Sequence, residues 1–291
     1  MSLFQLLLNG VALGAAYALV ALGFVFIVNA TGAVNFAQGD LVMAGGYAAI
    51  AIASLMPAVP FLLLLPAVAL VTFLLGIVVA LVAYFPLMRR PPATVFISTL
   101  LCGMILQNLF LVLFGPEAKS GPALVGTGML RFAGLELSRQ AAGTIVVAAL
   151  IIVLQYFVFS RTQFGRRLRA TAQDREMAEA VGIPAKLLIA TTFGLGTALA
   201  GIAGALLANQ YFVYPTGGIP LSVFAYIAVV IGGWGSLGGA VLGSLLISIF
   251  QVVVSAYVSY AVATGCLYAT LLLIFFLRPQ GIFSERVQRR A

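Results

Sequence analysis

"FQLLLNGVALGAAYALVALGFVFIV", residues 4–28, runs its whole length without a charged side chain. A bilayer has a hydrocarbon core of roughly 30 Å and needs about 20 apolar helical residues to cross it, so this stretch is long enough for one transmembrane helix. Working outward from it, comparable runs lie near 34–55, 60–87, 93–114, 141–159, 187–209, 221–233, 239–259 and 262–277. Inside lipid the backbone must satisfy its own hydrogen bonds, which leaves only helices or closed barrels, and none of these runs has the strict alternation of a barrel strand. The sequence therefore predicts an all-α fold. It is a polytopic transmembrane helical bundle of 8–9 membrane segments, one of them broken or re-entrant, forming a single domain over 1–291.

Composition agrees. The chain is 63% hydrophobic and 8% charged, with no histidine, and its mean hydropathy is +1.17; a soluble domain has roughly half its residues apolar and about a quarter charged. Without histidine there is no Ser-His or zinc chemistry, and a single carboxylate inside the spans rules out a two-aspartate protease, so no catalytic residue, metal or cofactor is expected. Cys102 and Cys266 both fall inside apolar runs and read as small core hydrophobes. No TVGYG-like filter or ring of acids suggests a channel. The first run lacks a basic n-region and an A-x-A site, so a cleavable signal peptide is not expected.

Charge gives orientation. Twelve of the fifteen basic residues lie in three segments: Arg89 and Arg90; Arg161, Arg166, Arg167, Arg169, Arg175 and Lys186; and Arg278, Arg286, Arg289 and Arg290. The positive-inside rule assigns these to the cytoplasm, making 160–186 a cytoplasmic loop and 278–291 a cytoplasmic tail. Lys119, Arg131 and Arg139 fall in 115–140, which counting places outside together with the N-terminus if there are nine crossings. The net charge of +8 then follows from topology, with no need for nucleic acid as a partner.

"QFGRRLRATAQDREMAEAVGIP", 163–184, holds seven of the 22 charged side chains. From Thr171 to Val181 it reads as a short helix, capped by Thr171 or Asp174, stopped at Gly182 and closed off by Pro184. Met177, Ala178 and Val181 share one face, and Arg175 pairs with Glu179 at i, i+4. A small apolar knob ringed by charge suits docking into a groove of a soluble partner; a solvated loop, basic only to fix topology, is the plainer alternative.

Small residues recur every fourth position at Gly10 and Gly14, at Gly196, Ala200 and Gly204, and at Gly235, Gly239 and Gly243, which lets helices approach closely in lipid. "GGWGSLGG", 232–239, contains a formal G-x-G-x-x-G, but without a βαβ unit it is a decoy and reads instead as an unwound or re-entrant piece. Polar groups within apolar runs are Asn35, Gln38, Asp40, Gln107, Asn108, Asn209 and Gln210. In a helix broken near Gly32 and Gly39, Asn35, Phe36 and Gln38 would face a translocation path; inter-helix hydrogen bonding is the alternative. "LRFAGLEL", 130–137, reads as a hairpin turning at Ala133-Gly134, with Arg131 opposite Glu136.

These stretches, in order and spacing, resemble ABC-importer permeases of the branched-chain amino acid type. The resemblance is carried by "NGVALGAAYALVALGF" (9–24), "GAVNFAQGDLVMAGGY" (32–47), "ISTLLCGMILQNL" (97–109), "FGRRLRATAQDREMAEAVGI" (164–183), "FGLGTALAGIAGAL" (193–206), "GGWGSLGGAVLG" (232–243) and "RPQGIFS" (278–284). It implies a permease subunit in a bacterial inner membrane, the first of two related permeases in a heterodimer. It also implies two cytoplasmic ATPase subunits and a periplasmic substrate-binding protein, with membrane lipid around the bundle and no cofactor in this chain. Arg166, Arg167, Asp174, Arg175, Met177, Ala178, Glu179, Val181 and Gly182 would then couple to the ATPases. Asn35, Phe36, Gln38, Asp40, Gln107 and Asn108 would line the substrate path. The chain has no G-x-x-x-x-G-K-[ST] loop, so ATP chemistry is expected on another subunit. The cargo would be a branched-chain amino acid or a related small amide or carboxylate. An ion-coupled secondary carrier is the alternative from another class, with Asp40 its only in-span acid.

Overall fold

The computed structural model describes residues 3–56, 60–126, 128–132 and 135–277. In chain order these form α1 (Leu3–Thr31), α2 (Gln38–Leu55), α3 (Phe61–Val79), α4 (Pro92–Phe114), β1 (Met129–Phe132), β2 (Leu135–Ser138), α5 (Arg139–Arg161), α6 (Gln163–Gln173), α7 (Arg175–Ala180), α8 (Ala185–Leu207), α9 (Gly218–Gly232), α10 (Leu237–Tyr257) and α11 (Tyr260–Leu277). A π turn, Ala80–Tyr84, and a 3-10 turn, Phe85–Leu87, prolong α3.

All nine apolar runs are helical. Six helical stretches are long and apolar enough to cross a membrane: α1, α3 with its extension, α4, α5, α8 and α10. The other three runs are α9 and α11, which are shorter apolar helices, and α2, whose first turn carries Gln38 and Asp40.

Helix α1 is the axis. It is buried along most of its length and packs against α5, α8, α9 and α10, while α2 sits among α3, α4, α8 and α9. Lipid tails are as apolar as leucine, so close backbone approach and dispersion, not water exclusion, hold such helices together. The glycines supply that approach. A Cβ at Gly45 would overlap the backbone of Gly201, and one at Gly204 would overlap the carbonyl of Val42, so α2 and α8 touch main chain to main chain. Gly10 and Gly14 lie against Ile249, Leu245 and Ser248 of α10, and Gly243 lies against Ala228 of α9.

The bundle has two distinct ends. At one, Gln5 at the start of α1 donates to the Glu136 carbonyl at 2.9 Å, Gln140 donates to the Leu206 carbonyl at 2.9 Å, and Lys119 bridges to Val213. This hairpin end holds β1 and β2 in the expected register, Arg131 opposite Glu136 and Phe132 opposite Leu135; the turn at Ala133-Gly134 lies outside the described residues. At the other, basic end, α6 and α7 meet the α5 and α8 termini, and Asn29 donates to the Gly235 carbonyl at 3.0 Å. The tail 278–291, with "RPQGIFS" and four of the basic residues, also lies outside the described residues.

Residues 233–236, expected as an unwound membrane piece, are instead a tight turn between α9 and α10 at the basic end. Gly233 and Gly235 there take φ values of +92° and +83°, a region open to glycine at little steric cost. The chain leaves helical geometry at depth elsewhere, at residues 32–37 between α1 and α2.

Among the described residues, several buried polar side chains lack a hydrogen-bond partner, and Gln155 is the one with two such atoms. Gln155 on α5 is 9% exposed, and neither of its amide atoms finds a hydrogen-bond partner among the described residues. Such an orphan costs roughly 1–3 kcal/mol. Gln155→Leu is therefore expected to stabilise the protein by about 1 kcal/mol, raising the thermal midpoint in detergent by roughly 2–4 °C. A lowered midpoint would mean that the amide has a partner.

Candidate functional site

Two regions gather the residues singled out above. The first is the charged stretch at the basic end. Where the sequence predicts one helix over 171–181, the chain forms two, α6 and α7, separated at Asp174. Asp174 has extended backbone (φ −151°, ψ 109°), and its carboxylate accepts from the Met177 N–H at 3.0 Å, so it is the cap of α7. Thr171 caps nothing. Its hydroxyl donates to the Arg167 carbonyl at 3.0 Å within α6, and the α6 cap is Thr162.

Helix α7 is held from several sides. Arg175 pairs with Glu179 at 3.3 Å, as expected, and also reaches Met88 Sδ, at 3.8 Å, in the turn between α3 and α4. Gly182, at φ +82°, ends the helix and lets Ile183 N–H return to the Ala178 carbonyl at 2.9 Å. In α6, Arg169 donates to the Phe159 carbonyl at 2.6 Å, tying it to the end of α5. Arg166 and Arg167 point out.

The apolar knob is smaller than the sequence suggests. Met177 (66% exposed) and Val181 (75%) project from the surface, but Ala178 faces inward and is 4% exposed. Met177 and Val181, four positions apart, thus form one small apolar patch beside the charged side chains of α7.

The second region is the break between α1 and α2. Gln38 Nε2 donates to the Gly196 carbonyl at 3.0 Å, and Gly196 is the central residue of α8, so the block sits near mid-depth. Irregular backbone there survives only when buried in protein or facing a cavity. Asn35 meets that condition from within: its Oδ1 accepts from Ala37 N–H at 3.2 Å, and its Nδ2 donates to Gln38 Oε1 at 3.3 Å. Asn35 and Gln38 are 1% and 0% exposed.

Their neighbours differ. The Phe36 N–H donates to Thr99 Oγ1 on α4 at 3.2 Å, and its ring packs edge-on to Phe96 at 4.5 Å and against Tyr226 at 5.8 Å. Asp40 accepts from Gln107 Nε2 at 2.8 Å, joining α2 to α4. Asn108 lies on the exposed face of α4, donating to the Met104 carbonyl at 2.8 Å. Asn209 and Gln210 lie apart from this block, at the hairpin end, where they donate to the Gly121 carbonyl and to Ser138 Oγ, each at 3.0 Å. The same signal, a polar side chain inside an apolar run, also marks Gln155 and Gln251, which sequence reasoning passed over.

A bundle of apolar helices with a charged helix pair fixed to one end and a polar break at mid-depth defines a membrane transport subunit. Residues 6–277 match the family described as "Branched-chain amino acid transport system / permease component", and the chain belongs to that family. It is 33% identical to the high-affinity branched-chain amino acid transport system permease protein BraD of Pseudomonas aeruginosa over 293 residues, 97% of this chain and 95% of that one. It is also 33% identical to LivH of Escherichia coli K12 over 296 residues, with the same coverage. A third relative, LivM of Escherichia coli K12, is 27% identical and covers 91% of this chain, which spans 67% of LivM. The chain is thus a multi-pass inner-membrane permease subunit of an ABC transport system, not an enzyme. An ion-coupled carrier is not favoured.

Proposed function

We propose that this subunit imports branched-chain amino acids or related small amides or carboxylates, delivered by a periplasmic binding protein and driven by ATPases that grip α6 and α7. The single observation that carries the reading is the capped, tethered α7, with Met177 and Val181 bare on its outer face. A lever must be stiff, and this one is tied to both neighbouring helices and, through Arg175, to the α3–α4 turn. The names and substrates of the BraD and LivH relatives support the cargo class, and the likeness to LivM supports a second, related permease as partner.

The topology is nine crossings, with α2, α9 and α11 added to the six long spans. The hairpin end, with loop 115–140, and the N-terminus face outside; the 160–186 loop and the tail face the cytoplasm. Basic residues concentrated at the α6–α7 end support this orientation. ATP binding would draw the two ATPases together, move α6 and α7 as one piece, and re-open the permease pair toward the other side.

The path residues divide by surroundings. Phe36, packed between Phe96 of α4 and Tyr226 of α9, and Gln107 and Asn108 of α4 line the path directly. Asn35, Gln38 and Asp40 hold the break open from behind it.

Reconstitution tests the reading. The chain, its partner permease, the ATPases and binding protein in proteoliposomes are expected to accumulate labelled L-leucine only with ATP inside. Uptake driven by an ion gradient without ATP would refute it.

A further inference from the structure

Two adjoining cavities open at the hairpin end, away from α7. The first, of about 560 Å³, lies between the opening turns of α1, the start of α5, the end of α10 and the start of α11. The second, of about 330 Å³, runs deeper, past Tyr17 and Phe224 to Met43, one turn beyond Gly39 and Asp40. Tyr211, Gln251 and Tyr260 border both. Small-molecule sites span roughly 300–1,000 Å³, so both volumes fall in that class.

Three features specify the occupant. No charged side chain lines either cavity among the described residues. Three helices begin at the walls: α5 behind its Ser138 cap, α9 at Gly217 and Pro220, and α11 at Tyr260. Helix N-termini carry positive partial charge and favour an anionic group.

The third feature is Gln251, 5% exposed at the junction of the two cavities. Tyr17 OH donates to its Oε1 at 3.1 Å, which leaves the other amide atom, an N–H donor, without a partner among the described residues. Leu6, Leu13 and Val252 in the first cavity, and Leu207, Val213 and Leu221 in the second, supply apolar walls.

We infer that the paired cavities are a loading site where the transported solute is recognised as a carboxylate carrying an apolar side chain, before it reaches the break at residues 32–37. This rests on the importer reading above and sharpens it: among amides and carboxylates, the site selects carboxylates. The carboxylate takes the N–H of Gln251 and the field of the helix N-termini, an ammonium group lies over tyrosine faces, and the aliphatic part fills the apolar wall. A neutral amide lacks the net negative charge that the helix termini favour.

The test uses the assembled complex in nanodiscs, with Tyr211→Cys at the exposed rim in a Cys102→Ala, Cys266→Ala background. Labelling by a membrane-impermeant thiol reagent is followed with 4-methylpentanoate, 4-methylpentanamide or L-leucine present. The acid and L-leucine are expected to slow labelling by about threefold or more, the factor 1 + [L]/Kd of mass action, and the isosteric amide to leave it unchanged. Equal protection by acid and amide, or protection by neither acid nor L-leucine, overturns the proposal.

A second variant, Gln251→Glu, sets a negative charge against the carboxylate and is expected to lower L-leucine uptake by about tenfold or more, with complex composition unchanged. Wild-type uptake in Gln251→Glu overturns the loading site and leaves the importer standing. Absence of uptake in the wild-type complex is the separate result that removes the importer reading itself.

Discussion

A chain carrying Met177→Asp together with Glu179→Arg is expected to fold and reach the membrane but to transport at about one-thirtieth of the normal rate or less. Both positions are exposed, so the bundle does not depend on them. Within α7 the change sets Arg175 against a second arginine at i, i+4, a loss of only a few tenths of a kcal/mol. At an interface the effect is larger. Losing one central apolar anchor costs roughly 2 kcal/mol, about 30-fold, and a buried carboxylate in its place costs more. ATP hydrolysis stimulated by loaded binding protein should fall in parallel, because both depend on α7 being gripped. If uptake and stimulated hydrolysis both persist in a complex of normal composition, α7 is not the coupling element.

The second large effect is structural. Gly45→Val is expected to leave no folded protein in detergent, because its Cβ would overlap the Gly201 backbone where α2 crosses α8. Overpacking a core costs typically 1–3 kcal/mol when side chains can yield. Here the obstacle is main chain, so a whole helix must move, and the break at residues 32–37 moves with it. Gly265→Ala in α11 is the control: a Cβ there meets nothing within 4 Å, and the variant should behave as wild type. A well-folded Gly45→Val protein would mean that α2 and α8 are not in contact as described.

Much of the fold was legible in the sequence because lipid imposes so few solutions. An uncharged run long enough to span must be a helix; the nine apolar runs are helical, and six of the helices are long and apolar enough to cross. Hairpin register followed from "LRFAGLEL" for a similar reason: alternation about Ala133-Gly134 admits one pairing that puts Arg131 opposite Glu136.

What escaped is set by tertiary contact. The division of 163–180 into α6 and α7 depends on Asp174 turning extended to cap Met177, a choice that Thr171 offered equally well on paper. Ala178 was placed on the docking face by helical periodicity, yet the direction that α7 presents to the bundle depends on Arg175 reaching Met88, 87 residues away in sequence. The glycines of "GGWGSLGG" signalled non-helical backbone correctly but not its depth. Depth is fixed by Asn29 holding Gly235 at the basic end.

For the candidate site, polar residues in apolar runs are a signal that reaches further than the residues first singled out. Gln251 sits in such a run, and its meaning emerges only when Tyr17, 234 positions earlier, occupies one side of its amide and a cavity lies on the other.

The most direct measurement is to extract the chain gently from its native membrane and determine by mass spectrometry what accompanies it and in what ratio. One copy of this chain is expected with one related permease and two ATPase subunits. Recovery of the chain alone, or as a homodimer without an ATPase, in several mild detergents would contradict it.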